Sequence, residues 1–189
     1  MKEINIENGR KVTVDIAKAN IFGIVLMIVS AVIMLLLYFL IWGNEWKSDG
    51  TDNFLDSFRL YREIFLLSML VGIVVHELIH GITWACFAPS GWRSISFGVI
   101  WKMLTPYCHC NEPMRPRPYI IGALMPLIVL GIIPAAFSLI CGSLLLLIWS
   151  VIFIGAASGD IWMSWLLTKE SPDCTVLDHP SEPGFYVFD

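Results

Sequence analysis

Three ionisable residues stand in the middle of an apolar run. "VGIVVHELIHGITWACF", Val71 to Phe87, holds His76, Glu77 and His80. Residues four apart on an α-helix share a face, so His76 and His80 can turn a ring nitrogen toward one point. This is the two-histidine half of the H-E-x-x-H zinc pattern. There the intervening carboxylate, here Glu77, stays off the metal and takes a proton from the water that attacks a carbonyl. With this chain's own His and Glu frequencies, the pattern would arise by chance in roughly 0.3–0.4% of chains of this length. Ionisable groups in an apolar helix are costly and mark a functional site by default. The competing reading needs no metal: a polar network that ties helices together through the histidines, Asp160 and serines.

A zinc site of this kind takes a third protein ligand and keeps a fourth position open. Asp160, at the end of "GAASGD" in another apolar run, is the best candidate. It stands 7 residues before Leu167, about 10 Å along a helix. His80 and His76 stand 8 and 12 residues before Ala88, about 12 and 18 Å, so the depths overlap. Gly155 and Gly159 form a small-xxx-small face that would let this helix approach the one carrying the histidines.

The elements around these residues are those of an all-α integral membrane protein. The 189 residues are 57% hydrophobic and 15% charged, against about 25% charged in soluble domains. The net charge of −4 gives no reason to expect nucleic acid. Four stretches reach the roughly 20 apolar residues a span needs: Ile21–Trp42, Ile64–Ala88, Tyr119–Ile140 and Leu144–Leu167. Pro126 and Pro134 should kink the third. Only Cys141-Gly142-Ser143 separates the third from the fourth, which predicts a tight helical hairpin. The first span follows 20 mostly polar residues without a small-residue cleavage site, so a cleaved signal peptide is not expected.

Outside the spans, "EINIENGRKVTVDI" alternates about Asn8-Gly9 and reads as a short N-terminal β-hairpin. "SISFGVIW" and "MLTPYCHC", after the second helix, read as a small β-element. We read one domain over 1–189: a hairpin at 1–20, a transmembrane core at 21–168 and a tail at 169–189, in which His179 is expected to be solvated. Lys and Arg in the short flanks favour both termini on the cytoplasmic side of the membrane. Five cysteines at irregular spacing make a poor disulfide framework. In "YCHC", His109 opposes Cys108 and Cys110 across a strand, which argues against a second metal site. Tyr107 and His109 become candidates for the mouth of the site. Trp84 reads as packing or lipid contact.

"HELIHG" in one apolar helix and "GD" in a later one resemble the bacterial zincin peptidase family of membrane proteins. The resemblance runs from about Ile64 to Leu167 and takes in "PYCHCNEP" and the proline-bearing helix. More distantly the chain is similar to site-2 proteases, although Gly159-Asp160 reverses their Asp-Gly order and lacks their neighbouring asparagine. The resemblance implies zinc held by His76, His80 and Asp160, with Glu77 as the base. It implies hydrolysis of peptide bonds in or near the cytoplasmic half of a bacterial cytoplasmic membrane, on a peptide or membrane-protein substrate. By the same resemblance the Ser94–Ile100 strand would pair with an extended substrate. Two alternatives stay open: a metal or solute transporter built on the same cluster, and an inactive scaffold.

Overall fold

A computed structural model describes residues 9–45, 51–101, 105–179 and 183–188. The chain is mostly helical with two small sheets. Helix α1 (Ile16–Glu45) starts where Asp15 accepts the Lys18 amide at 3.2 Å. It turns apolar side chains outward along its length, Leu40 at 82% exposure. Helix α2 (Thr51–Ala85) carries the histidines and begins earlier than the apolar run. Its first turns are charged, with Asp56 and Arg59 3.7 Å apart one turn on. Helix α3 (Pro116–Pro126), a π-helical turn at Leu127–Ile132 and α4 (Ile133–Cys141) form one continuous stretch. Helices α5 (Leu144–Ala156) and α6 (Ser158–Leu167) meet at a 40° bend. Among the described residues, three helices are long and apolar enough to cross a membrane, or four if the bent pair is one span.

The third stretch is disturbed where proline demands it. Pro134 has no N–H to give the preceding turn, and the widened π turn comes just before it. The predicted helical hairpin is present. Gly142, at φ 68°, closes α4 in the left-handed region, and Ser143 accepts the Leu146 amide to open α5. The end of α1 clamps this turn: Tyr38 donates to Gly142 O at 2.7 Å and Trp42 Nε1 to Leu139 O at 2.9 Å.

The small-residue face has a different partner from the expected one. A Cβ on Gly155 would meet Met27 of α1, and one on Gly23 of α1 would meet Ser158. Close approach to α2 comes instead from Gly72, against the Phe153 ring of α5. The bend at Ala157 then redirects the chain, so Asp160 enters in the first turn of a new helix.

Strands β2 (Ile95–Ile100) and β3 (Thr105–Cys110) form the predicted β-element, paired antiparallel with Phe97 opposite Cys108. A Cβ on Gly81 of α2 would lie 2.6 Å from the Phe97 ring, so the glycine after His80 admits this hairpin against the helix. The other sheet joins the two ends of the chain in the order β1-β5-β4: β1 (Arg10–Thr13), β4 (Thr175–Asp178) and β5 (Gly184–Phe188). The first arm of the predicted N-terminal hairpin lies outside the described residues, and its second arm, β1, pairs with β5. The tail is no solvated arm. Val176, Phe185 and Val187 alternate into a core shared with Tyr119, Met114 and Leu167. His179 is buried, a correction to its expected solvation: its ring stacks on Tyr186 at 5.0 Å and its amide donates to Gly184 O.

Candidate metal centre

The helical period brings His76 and His80 together as the spacing predicts. Both are buried, with ring centroids 4.8 Å apart and the ring planes crossing at 74°. From α6 the Asp160 carboxylate reaches both. Oδ2 is 3.1 Å from His76 Nε2, and Oδ1 is 3.4 Å from His80 Nε2. Its place in the first turn of α6 suits an anion, because the helix dipole is positive there.

Each histidine therefore turns its Nε2 toward one carboxylate. One ligand atom from each residue can be chosen so that all lie within 4.8 Å of one another. Two atoms each about 2.05 Å from a tetrahedral zinc ion stand about 3.3 Å apart. The separations of 3.1 and 3.4 Å, one to each oxygen of the carboxylate, are close to that spacing. The donor set of two imidazoles and a carboxylate also suits zinc. Among the described residues this is the one group of His, Cys, Asp and Glu placed to hold an ion.

His80 is fixed on its other sides. Its Nδ1 is 2.9 Å from the Gly122 carbonyl of α3, which can only accept, so Nδ1 carries a proton. The Trp84 indole lies nearly parallel to the His80 ring, 15° off and 5.1 Å away, and donates Nε1–H to Tyr119 O at 3.0 Å. Sequence reading gave Trp84 a packing role and missed this one. The signal was present, since Trp84 follows His80 by one helical period.

Beside these side chains lies a cavity of about 490 Å³. Glu77, half-buried, forms part of its wall, and among the described residues it makes no ion pair with either histidine. The backbone N–H of Cys108 is turned toward its carboxylate. Tyr107, Cys108 and His109 of β3 line the same cavity, so two expected residues of the mouth are there. Successive strand residues point to opposite faces. Three in a row on one cavity mean that it runs along the open edge of β3. The Cys110 amide leaves that edge for Asp178 Oδ2 at 2.9 Å.

Asp178 lines the cavity too, and sequence reading passed over it as part of an acidic tail. The Tyr119 hydroxyl donates to its Oδ1. Burial pushes its carboxyl above the ordinary carboxylate range, against the lowering effect of the Tyr119 and Cys110 donors. Burial likewise pushes the Cys108 and Cys110 thiols up. Thiols that keep their protons are poor ligands, and Cys110 Sγ is engaged with Glu112 O at 3.5 Å. The cysteines of "YCHC" are packing groups, and none of the five cysteines forms a disulfide.

Residues 69–175 match the model of a family described as "putative zincin peptidase". The chain belongs to that family. The match begins inside α2, seven residues before His76, and runs through β2, β3 and the proline-bearing stretch, past Asp160, to the first residue of β4. No curated protein and no solved structure matches the chain. The family description names a peptidase class whose metal is zinc, and the three converging side chains of this zincin-like chain are the residues that fit such an ion.

Proposed function

We propose that this chain is a membrane-embedded zinc metallopeptidase that cuts peptide bonds in or near the cytoplasmic half of a bacterial cytoplasmic membrane. One observation carries the reading: Nε2 of His76 and of His80 meets the carboxylate of Asp160 from a different helix at the edge of a cavity. His76, His80 and Asp160 would hold the ion. Bound there, zinc supplies a Lewis acid and lowers the pKa of water to near neutral.

The chain's own groups do the rest. Glu77, on the cavity side of the same helix, accepts the proton of the attacking water and returns it to the leaving amine. The Cys108 amide steadies its carboxylate. The outward C=O of Cys108 on the edge of β3 would take up an extended substrate. A peptide bond inside a helix is hydrogen-bonded and shielded, and pairing with a sheet edge re-satisfies the groups exposed when that helix unwinds. The edge beside the cavity is that of β3, so the strand pairing expected at Ser94–Ile100 moves to its hairpin partner. Depth supports a cut near one membrane face. His80 lies five residues before the end of α2 and Asp160 seven before the end of α6, with both sheets at that end.

Glu77→Gln separates this reading from a transporter or scaffold that uses the same cluster. Membrane-protein fragments from cells expressing wild type and Glu77→Gln identify a substrate. On that substrate the variant should keep bound zinc and lose cleavage by about 10²–10⁴-fold. Full activity in the variant would refute the mechanism.

A further inference from the structure

We propose that Pro126 is a positioning residue for His80, acting through an N–H that it lacks. In an α-helix the carbonyl of residue i accepts from the N–H of residue i+4. For Gly122 that donor would be residue 126, and proline has none. The next amide, Leu127, goes to Leu124 O. The Gly122 carbonyl is thus released from its own helix, and His80 Nδ1 takes it at 2.9 Å.

A released carbonyl accepts a proton and cannot give one. It therefore holds a proton on Nδ1 of His80, so that Nε2, which faces Asp160, is the nitrogen left to bind an ion. The same stretch also sets the ring plane. Gly122 has no side chain, and a Cβ there would overlap the Trp84 indole, which lies against the face of His80. One proline and one glycine, four residues apart on α3, hold the ring by its edge and by its face. Neither touches the reacting atoms. The role rests on the metal-site reading only for its consequence at Nε2. The hydrogen bond itself belongs to the metal-free protein.

The test uses the full chain in detergent micelles with 15N-labelled histidine. In metal-free wild type, His80 Nδ1 should be protonated. Pro126→Ala returns a competing N–H to Gly122 O. It should populate the Nε2–H tautomer and weaken zinc binding on the order of 10–100-fold. Pro134→Ala removes a proline from the same stretch in α4, which packs on α1 and α5, and should change neither readout. Lactic acid in place of residue 126, an ester link with no N–H and no ring, should keep the wild-type tautomer. An unchanged tautomer in Pro126→Ala overturns the proposal, and so does an equal shift in Pro134→Ala. If wild type itself fails to bind zinc, the peptidase reading falls, while the tautomer comparison still decides the role of Pro126.

Discussion

Asp160 offers the sharpest perturbation because it alone joins α6 to both histidines. Asp160→Asn keeps the shape and removes the charge; Asp160→Ala removes the ligand. The carboxylate is one of three protein ligands at a site whose spacings, 3.1 and 3.4 Å, are close to those of tetrahedral zinc. Structural zinc sites bind with about 10–16 kcal/mol at neutral pH. Shared over three or four ligands, one ligand is worth about 2.5–5 kcal/mol, or about 10²–10⁴ in affinity at 1.4 kcal/mol per tenfold. The asparagine oxygen can still donate a lone pair, so Asn should fall at the low end and Ala at the high end. Competition against a chromogenic zinc chelator, with detergent-solubilised protein, measures both. Asp160 lies against two buried imidazoles, so a purely structural network would lose thermal stability while zinc binding stayed level. Zinc affinity in both variants within threefold of wild type would refute the ligand assignment, whatever happened to the melting temperature.

Gly72→Ala should lower the melting temperature in detergent, because its Cβ would overlap the Phe153 ring where α5 meets α2; overpacking of this kind costs about 1–3 kcal/mol. An unchanged midpoint would mean that the two helices separate freely there. Peptide substrates N-methylated at successive positions should lose cleavage at alternate residues, with the period of two expected for pairing with the β3 edge; a uniform loss would argue against strand addition. Asp178 gives a pH dependence. Its folded carboxyl lies above the unfolded value of about 3.9, so folding takes up a proton. The associated stability is present below the unfolded pKa and is lost as pH rises through the folded one. The groups facing it are Tyr119, the Cys110 amide, His109 and His80. Thermal melts of metal-free protein should show Asp178→Asn gaining on wild type as pH rises from about 4; parallel curves would remove Asp178 from the account.

The parts of the site legible in the sequence are those written in helical period or in misplaced charge. His76 and His80 are one turn apart, so their meeting follows from 3.6 residues per turn. Asp160 shows itself as a carboxylate in an apolar run. β2 and β3 are adjacent in the chain, and their aromatic and β-branched residues mark them. The C-terminal strands were hidden for a physical reason. β5 pairs with β1 across nearly the whole chain, and prolines interrupt the alternation that would have marked it. With β5 unseen, Asp178 and His179 looked like solvated tail. Trp84 was misjudged because its partner, Tyr119 O, is a backbone atom, and backbone acceptors leave no trace in residue type. The bend at Ala157 was equally hidden, since Gly155 and Ser158 suit a continuous helix packed on α1 as well as a broken one.

A regular helix satisfies its own amides and carbonyls and offers nothing sideways, yet the ionisable groups of this cavity need backbone partners. Each partner comes from a place where the helical ladder is absent. The Cys108 and Cys110 amides stand on the open edge of β3, facing Glu77 and Asp178. The Gly122 carbonyl stands where Pro126 withholds a donor, facing His80. The two small sheets and the proline-bearing helix thus solve one problem, that of bringing fixed dipoles to buried charge among apolar helices. Polar side chains could do the same only by adding further desolvated groups and more rotamer freedom. A strand edge or a missing N–H supplies the dipole already ordered. Substitutions that close these gaps should therefore damage the site more than their effect on overall stability suggests, and Pro126→Ala, which favours the helix and disfavours the histidine bond, sets the two effects in opposition within one residue.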